Sequence, residues 1–184
     1  MRQVKGTILI TIVKGIKADI QKRGEYDRIL SDRAKEYLNK RILSASWYPL
    51  DVYQELYDAI CFVGAKNNPK ILYQWGKAEG RRWLTTVYQS SIIKDDLQTI
   101  VEKISRHHRQ LYNFGDTIVE FISDNEMTVT WANFFKDWEN IYHITVGWVI
   151  AFIELCTSKK VKYSFLNKSW NGEGWTKAKL SWTP

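Results

Sequence analysis

Residues 117–132 read TIVEFISDNEMTVTWA, and this stretch decides the fold of the chain. On both sides of the polar residues DNE, apolar and polar side chains alternate, which is the pattern of half-buried β-strands. The pattern predicts a β-hairpin formed by TIVEFIS and EMTVTWA. A second hairpin is predicted near the end of the chain, where KVKYSFL and WTKAKLSW flank a loop that contains Gly172 and Gly174.

Outside the hairpins, apolar residues recur at helical spacing. The β-branched residues of 7–22 leave a strand as the alternative for that segment. Pro49 and Pro69 are each expected at a first helical position. The order of elements predicts an α+β fold in a single domain, residues 1–184, with a helical layer packed on a small antiparallel sheet made of the two hairpins. Helices are predicted over residues 7–22, 25–40, from Pro49, from Pro69, over 92–111 and over 134–156.

The composition is that of an ordinary globular protein with an unusual number of aromatic residues. Nine tryptophans, ten tyrosines and seven phenylalanines in 184 residues predict a large core, a ligand pocket or an interface. Cys61 and Cys156 are expected to be buried thiols of a reducing compartment. No leader segment and no apolar run long enough to span a membrane is recognised, so a cytoplasmic location is expected.

The net charge of +7 raises the possibility of a nucleic-acid partner. Residues 1–46 contain eleven Lys and Arg against five Asp and Glu, but no run of five or six like charges occurs. A solvated surface is therefore favoured over a nucleic-acid interface, which needs a clustered basic face.

Sequence motifs for catalysis and metal binding are not found. The chain has no G-x-S-x-G elbow, no phosphate-binding loop and no dinucleotide fingerprint. Neither cysteine has a partner at metal-binding spacing. We therefore expect a protein that is not an enzyme and has no metal site.

Two adjacent histidines end the helix predicted over 92–111. Successive helical residues are rotated by ~100°, so His107 and His108 are poorly placed to bind one ion. His108 falls in the middle of the apolar stripe and is predicted to point inward, as a hydrogen-bonded core histidine or as a ligand contact. His107 falls at the edge of the stripe and is predicted to lie at the rim.

Gly76 and Gly80 lie on one face of the helix that starts at Pro69. Each glycine costs about 1 kcal/mol of helix stability relative to alanine. Something must approach this backbone closely, and a neighbouring helix and a ligand are the two candidates.

Several segments resemble one superfamily over nearly the whole chain. The opening resembles heme-nitric-oxide-binding domains, in which Lys-Gly-Thr begins the first helix. Later segments are more similar to a family of uncharacterised bacterial proteins with KGT and SWYP segments, related to vinyl-4-reductase (V4R) domains; the same broad fold includes the TRAPP subunits of vesicle tethering. The segments are VKGTILITIVKGIK, ILSASWYPLDVYQELYDAI, GKAEGRRWLTTVYQ, RQLYNFGDTIVEF and the terminal hairpin ending in Trp182.

The resemblance implies a fold and a short list of cofactors. Heme-binding members hold the iron with a histidine on the helix before the hairpin and the propionates with a Tyr-x-Ser-x-Arg motif. That motif is absent here, and the strand in question reads TVTWANF. We therefore expect no cofactor, with heme disfavoured. TRAPP subunits can carry an acyl chain on a buried cysteine, and whether Cys61 is so modified is left open.

These observations predict a non-enzymatic sensory or adaptor domain that binds a small apolar ligand between the helices and the sheet. The alternative is a protein-interaction module of the TRAPP-like type that has no ligand and forms a homodimer or binds a protein partner; nucleic-acid binding is a third and weaker reading. The predicted ligand contacts are His108, Tyr112, Trp83, Tyr88, Phe114, Trp138, Trp148, Gly76 and Gly80.

Overall fold

The computed structural model describes residues 1–93 and 96–183. The helices are α1 (Gly6–Ala18), α2 (Arg23–Ile29), α3 (Asp32–Asn39), α4 (Leu50–Ala65), α5 (Pro69–Thr85), α6 (Leu97–Leu111) and α7 (Glu139–Thr157). The strands are β1 (Gln3–Lys5), β2 (Trp47–Pro49), β3 (Asp116–Ser123), β4 (Glu126–Ala132), β5 (Val161–Asn167) and β6 (Thr176–Trp182). The α+β class is confirmed.

Both predicted hairpins form, and they join into one antiparallel sheet in the order β3-β4-β6-β5. The two hairpins meet where β4 pairs with β6, with Val129 opposite Ala178. Side chains alternate between the faces of the strands, so β6 buries Thr176, Ala178 and Leu180 on one side. The sequence pattern predicted this sheet because more buried and more exposed residues alternate along β5 and β6 and along the first half of β3.

The chain divides into two compact units. Unit 1 comprises Met1–Asn68 and Gln110–Phe114, and unit 2 comprises Pro69–Arg109 and Gly115–Pro184. Whether they act as the single predicted domain stays a prediction.

Unit 1 is built from α1 to α4 and a small two-stranded sheet. β1 pairs antiparallel with β2, and Val4 forms a further antiparallel bridge with Tyr112. α1 buries an apolar stripe that includes Leu9, Val13 and Ile16, as its periodicity predicted.

In unit 2, α5 and α7 pack with their backbones in close contact. A Cβ atom built on Gly76 would overlap the backbone carbonyl of Ile144, and one built on Gly147 would overlap the carbonyl of Tyr73. A Cβ on Gly80 would lie 3.1 Å from both Trp148 and Ala151 of α7. Of the two candidates for the space beside Gly76 and Gly80, the neighbouring helix is the one that occupies it.

A buried carboxylate joins α5, α7 and β5. Lys77 and Arg81 of α5 each donate a hydrogen bond of 2.7 Å to a different carboxylate oxygen of Glu154. The backbone N–H of Val161, the first residue of β5, donates to the same carboxylate at 3.3 Å. Burial acts to raise the pKa of Glu154, but these hydrogen bonds outweigh it and hold the pKa below its ordinary value.

Several element boundaries differ from the prediction. The helix predicted over 25–40 is two helices, because Leu30 is extended and Ser31 caps α3 by accepting a hydrogen bond from the N–H of Ala34. Pro49 is the N-cap of α4 and not its first residue. The predicted first turn of α6 includes Lys94 and Asp95, which lie outside the described residues.

Helix α7 begins five residues later than predicted, at Glu139 instead of residue 134. Within the described residues it is the one helix long and apolar enough to cross a membrane, by length and composition only. Of its most apolar window, 67% is buried inside the protein, as in the core helix of a globular fold.

Candidate functional site

An imidazole enclosed by aromatic rings is the most distinctive polar feature of unit 2. We call it the His107 cluster; its members are Trp83, Tyr88, His107, Trp148 and Phe152. The ring of Tyr88 meets His107 edge-on, with centroids 4.2 Å apart and planes at 90°. Trp148 meets it from α7 at 5.0 Å and 75°. Three separate segments of the unit therefore converge on one side chain.

His107 is 7% exposed, so its predicted place at the rim is wrong. Its Nδ1 atom is buried and has no hydrogen-bond partner among the described residues. Burial among apolar rings disfavours the charged form and lowers the pKa of His107 from 6.5 to about 4. The imidazole is therefore neutral at physiological pH and carries an unsatisfied nitrogen, which is uncommon for a buried polar group.

His108 points inward, as predicted. It is 8% exposed, and its ring packs edge-on against Phe134 at a centroid distance of 4.8 Å. One turn earlier, the hydroxyl of Ser105 donates a hydrogen bond of 2.7 Å to the carbonyl oxygen of Thr117 in β3. This face of α6 is therefore held against the first hairpin.

The remaining predicted contacts fall into separate groups. Trp83, Tyr88 and Trp148 belong to the His107 cluster. Trp138 packs against Phe135 at 4.4 Å, in the same aromatic layer as Phe134 and His108. Gly76 and Gly80 face α7. A ligand-binding role for any of these residues stays a prediction.

Tyr112 and Phe114 belong to unit 1. The Tyr112 hydroxyl lies 3.3 Å from that of Tyr53, and the ring of Phe114 packs edge-on against Tyr112 at 5.7 Å. Burial raises the pKa of Tyr112 to about 12, although the bond with Tyr53 acts in the opposite direction. Both hydroxyls are thus neutral. The structure therefore divides the nine predicted contacts between the two units.

Two buried histidines were missed as candidates. His107 was set aside because its position was judged from α6 alone. His143 of α7 is 8% exposed, and its Nε2 lies 3.1 Å from a carboxylate oxygen of Glu139 one turn earlier. The i, i+4 spacing of Glu139 and His143 was visible in the sequence and could have identified that pair. Within the described ranges, no group of three His, Cys, Asp or Glu side chains is placed to hold a metal ion.

Comparison with solved structures identifies the architecture. An oxygen-binding H-NOX domain related to soluble guanylate cyclases, solved as an oxygen complex, superposes with a TM-score of 0.61 at 10% identity, over 98% of this chain and 95% of that chain. This is the heme-NO-binding (H-NOX) fold. A mutant of the T. tengcongensis H-NOX gives a TM-score of 0.60 at 12% identity over 98% of both chains. A structure described for modulating heme redox potential through protein-induced porphyrin distortion gives 0.65 at 12% identity, over 98% and 95%.

At this level of identity the H-NOX likeness establishes the fold and no more. No protein-family model matches the sequence, and no curated protein sequence is similar to it. The resemblance to heme-NO-binding domains is thus supported by the fold, whereas the V4R, TRAPP and KGT/SWYP resemblances stay predictions.

The expectation of no cofactor, with heme disfavoured, is contradicted by these neighbours. One is described for heme redox potential and another for heme distortion in the H-NOX family. The expectation rested on the missing Tyr-x-Ser-x-Arg motif. In the heme-binding members that motif binds the propionates, so its absence does not bear on the residue that holds the iron.

The residues of unit 2 fit the iron of a heme in one respect. A neutral imidazole is the form that binds iron, and His107 offers a buried neutral imidazole with an unsatisfied nitrogen. Aromatic rings around it are suited to a flat apolar molecule. For the propionates, β4 and the loop after it carry Trp131, Asn133 and Phe135 in alternation, and the one cation of this stretch is Lys136.

Lowering the pH from about 6.5 to about 4 is expected to reduce the free energy of unfolding. Since the folded pKa of His107 lies below its unfolded value of 6.5, the unfolded chain binds more protons in this range, and stability is lost as the pH falls. At about 1.4 kcal/mol per unit of pKa difference, the loss attributable to His107 is at most about 3 kcal/mol. Urea unfolding at a series of pH values measures it. His107→Phe should flatten the slope, and an unchanged slope would assign it to another group.

Proposed function

We propose that this chain is a non-enzymatic sensory domain that binds a small ligand through the His107 cluster, with heme as the first cofactor to test. The observation that carries the proposal is the buried Nδ1 of His107, which has no partner in the part of the chain that the structure describes. A buried polar atom without a partner costs about 1–3 kcal/mol, so a ligand that satisfied it would be favoured by that amount.

The fold of the neighbours supports the choice of ligand class. The H-NOX structures are described as binding oxygen or as containing heme. When bound, a heme would supply an iron that can bind a diatomic gas. In this chain, His107 would hold the iron, and Tyr88 and Trp148 would exclude water from the imidazole.

Electrostatics favour the same assignment. Because burial lowers the pKa of His107 to about 4, no proton competes with a metal for the imidazole at neutral pH. The Nδ1 of His143 is also buried without a partner among the described residues, and its Nε2 is engaged with Glu139. His107 is preferred because burial lowers its pKa and keeps the ring neutral at neutral pH.

Adding hemin to the purified 184-residue chain is expected to produce a Soret band that saturates at one heme per chain. His107→Ala should abolish the saturable band or lower the affinity at least about tenfold, since an axial bond contributes more than 1.4 kcal/mol. Absorption titration measures the affinity, and circular dichroism confirms that the variant is folded.

His143→Ala is the matched control, since it removes an equally buried histidine from α7 and leaves His107 in place. Its hemin titration should match that of the unmodified chain. Equal loss in both variants, or no loss in either, would show that His107 does not hold the iron. The absence of any saturable hemin binding would remove heme from the proposal.

A further inference from the structure

The imidazole of His107 is closed off in this structure by two rings. Tyr88 stands edge-on to it at 4.2 Å and Trp148 at 5.0 Å. With 7% of the residue exposed and Nδ1 fully covered, a ligand has no open path to the ring nitrogen. One of the two flanking rings must move before this Nδ1 atom can bind anything.

Trp148 is the fixed one. It lies in the middle of α7, next to Phe152 at 5.9 Å, and its Cα and Cδ1 atoms are both 3.1 Å from where a Cβ on Gly80 would stand. The Cα of Trp148 is therefore fixed against α5, and rotation of its indole is opposed by Phe152 and by the adjacent Gly80. Packed interiors of this density resist such displacements.

Tyr88 is held by much less. It follows the end of α5 at Thr85, in a turn that leads into the 3-10 helix Gln89–Ser91. Its N–H donates to the carbonyl oxygen of Trp83 at 3.0 Å, and its half-buried ring tilts against that of Trp83 at 6.0 Å. A half-exposed side chain on a turn changes rotamer at low cost, and such positions supply the moving parts of binding sites.

Trp83, against which the ring of Tyr88 packs, is itself held by hydrogen bonds. The indole N–H of Trp83 donates to the carboxylate of Glu79, and Arg82 donates to the same carboxylate. Trp83 thus keeps its place at the end of α5 whether or not Tyr88 lies against it. Rotation of Tyr88 alone would uncover His107 without disturbing the helices.

We propose that Tyr88 is a lid on the His107 cluster, and that outward rotation of its ring admits a small flat ligand to the imidazole. The proposal rests on the proposed function in that it names the moving part of the same site. It makes the identity of residue 88 a determinant of the rate at which the site fills.

Chemical labelling of the histidines tests the lid without any cofactor. Diethyl pyrocarbonate modifies neutral imidazoles that solvent can reach, and tandem mass spectrometry distinguishes His107 from His108. In Tyr88→Ala, labelling of His107 at pH 7 is expected to accelerate about tenfold or more, because the open state no longer has to form. Tyr88→Phe should retain the slow rate, since the ring and not the hydroxyl covers the imidazole.

Two controls make the result specific. His108 is adjacent and equally buried but packs against Phe134, so its labelling rate should not change in Tyr88→Ala. Tyr37→Ala removes a half-buried tyrosine from α3, where the ring makes a comparable edge contact with Tyr48, and it should leave His107 slow. If His107 stays slow in Tyr88→Ala, or if His107 and His108 accelerate together, the lid is refuted.

The lid and the heme hypothesis can fail separately. Accelerated labelling of His107 in a chain that binds no hemin would keep the lid and discard heme. Saturable hemin binding with an association rate that is the same in Tyr88→Ala and the unmodified chain would keep heme and discard the lid.

Discussion

Replacing Gly76 with alanine is expected to lower the free energy of unfolding by about 2 kcal/mol. Alanine is the better helix former by about 1 kcal/mol, but forcing an extra group into a packed contact costs about 1–3 kcal/mol and occasionally more. Here the group would meet the backbone carbonyl of Ile144, which cannot rotate away as a side chain could. The overlap should therefore exceed the helix gain.

Urea-induced unfolding followed by circular dichroism measures the change. Gly24→Ala is the matched control, because Gly24 lies in α2 and a Cβ built on it meets nothing within 4 Å. That variant should be as stable as the unmodified chain or more stable by up to about 1 kcal/mol. If the two variants behave alike, α5 and α7 are not in backbone contact at Gly76.

Replacing Glu154 with alanine is expected to lower the free energy of unfolding by about 3–5 kcal/mol, the range for removing one partner of a buried ion pair. The side chain of Lys77 is 23% exposed and would lose the carboxylate that compensates its charge, and the N–H of Val161 would lose an acceptor. Arg81 is half exposed and can return to water, so the cost falls mainly on Lys77. Chemical unfolding again measures the change.

A second substitution separates the buried charge from the general loss of packing. Adding Lys77→Met to Glu154→Met should recover much of the stability lost in Glu154→Met alone, because the uncompensated charge is removed. Glu120→Ala breaks the exposed pair with Lys177 and should cost less than about 1 kcal/mol. Similar losses of stability in Glu120→Ala and Glu154→Ala would contradict a buried ion pair between Glu154 and Lys77.

The sheet was predictable from the sequence, and the short elements were not. Alternation over seven or eight residues on either side of a polar turn admits few structures other than a hairpin. β1 and β2 have three residues each, which is too short for any period to be visible. The start of α7 was misplaced because Phe134, Phe135 and Trp138 continue the apolar pattern of the helix, although the chain turns at Asn133 with a φ of 52°.

The candidate site was only half accessible to sequence reasoning. The helical wheel of α6 gave the direction of His108 correctly but could not show what would cover His107. The covering rings come from Tyr88, in a turn, and from Trp148, which lies forty-one positions after His107 in the chain. The homodimer or protein partner and the cytoplasmic location stay predictions, and whether Cys61 is modified stays open. Burial raises the pKa of Cys61 far above its usual range, which disfavours a reactive thiolate.

The backbone contacts of α5 and α7 at Gly76 and Gly147, together with the hydrogen bonds to Glu154, have a mechanical consequence. A helix can slide along its neighbour only if no group projects across the contact. Here the backbone of each helix packs into the space beside a glycine of the other, and Glu154 adds a hydrogen bond between the helices further along α7. Helices α5 and α7 therefore move as one lever. A displacement of α7 would therefore carry α5 and the start of β5 with it, because Glu154 is bonded to both.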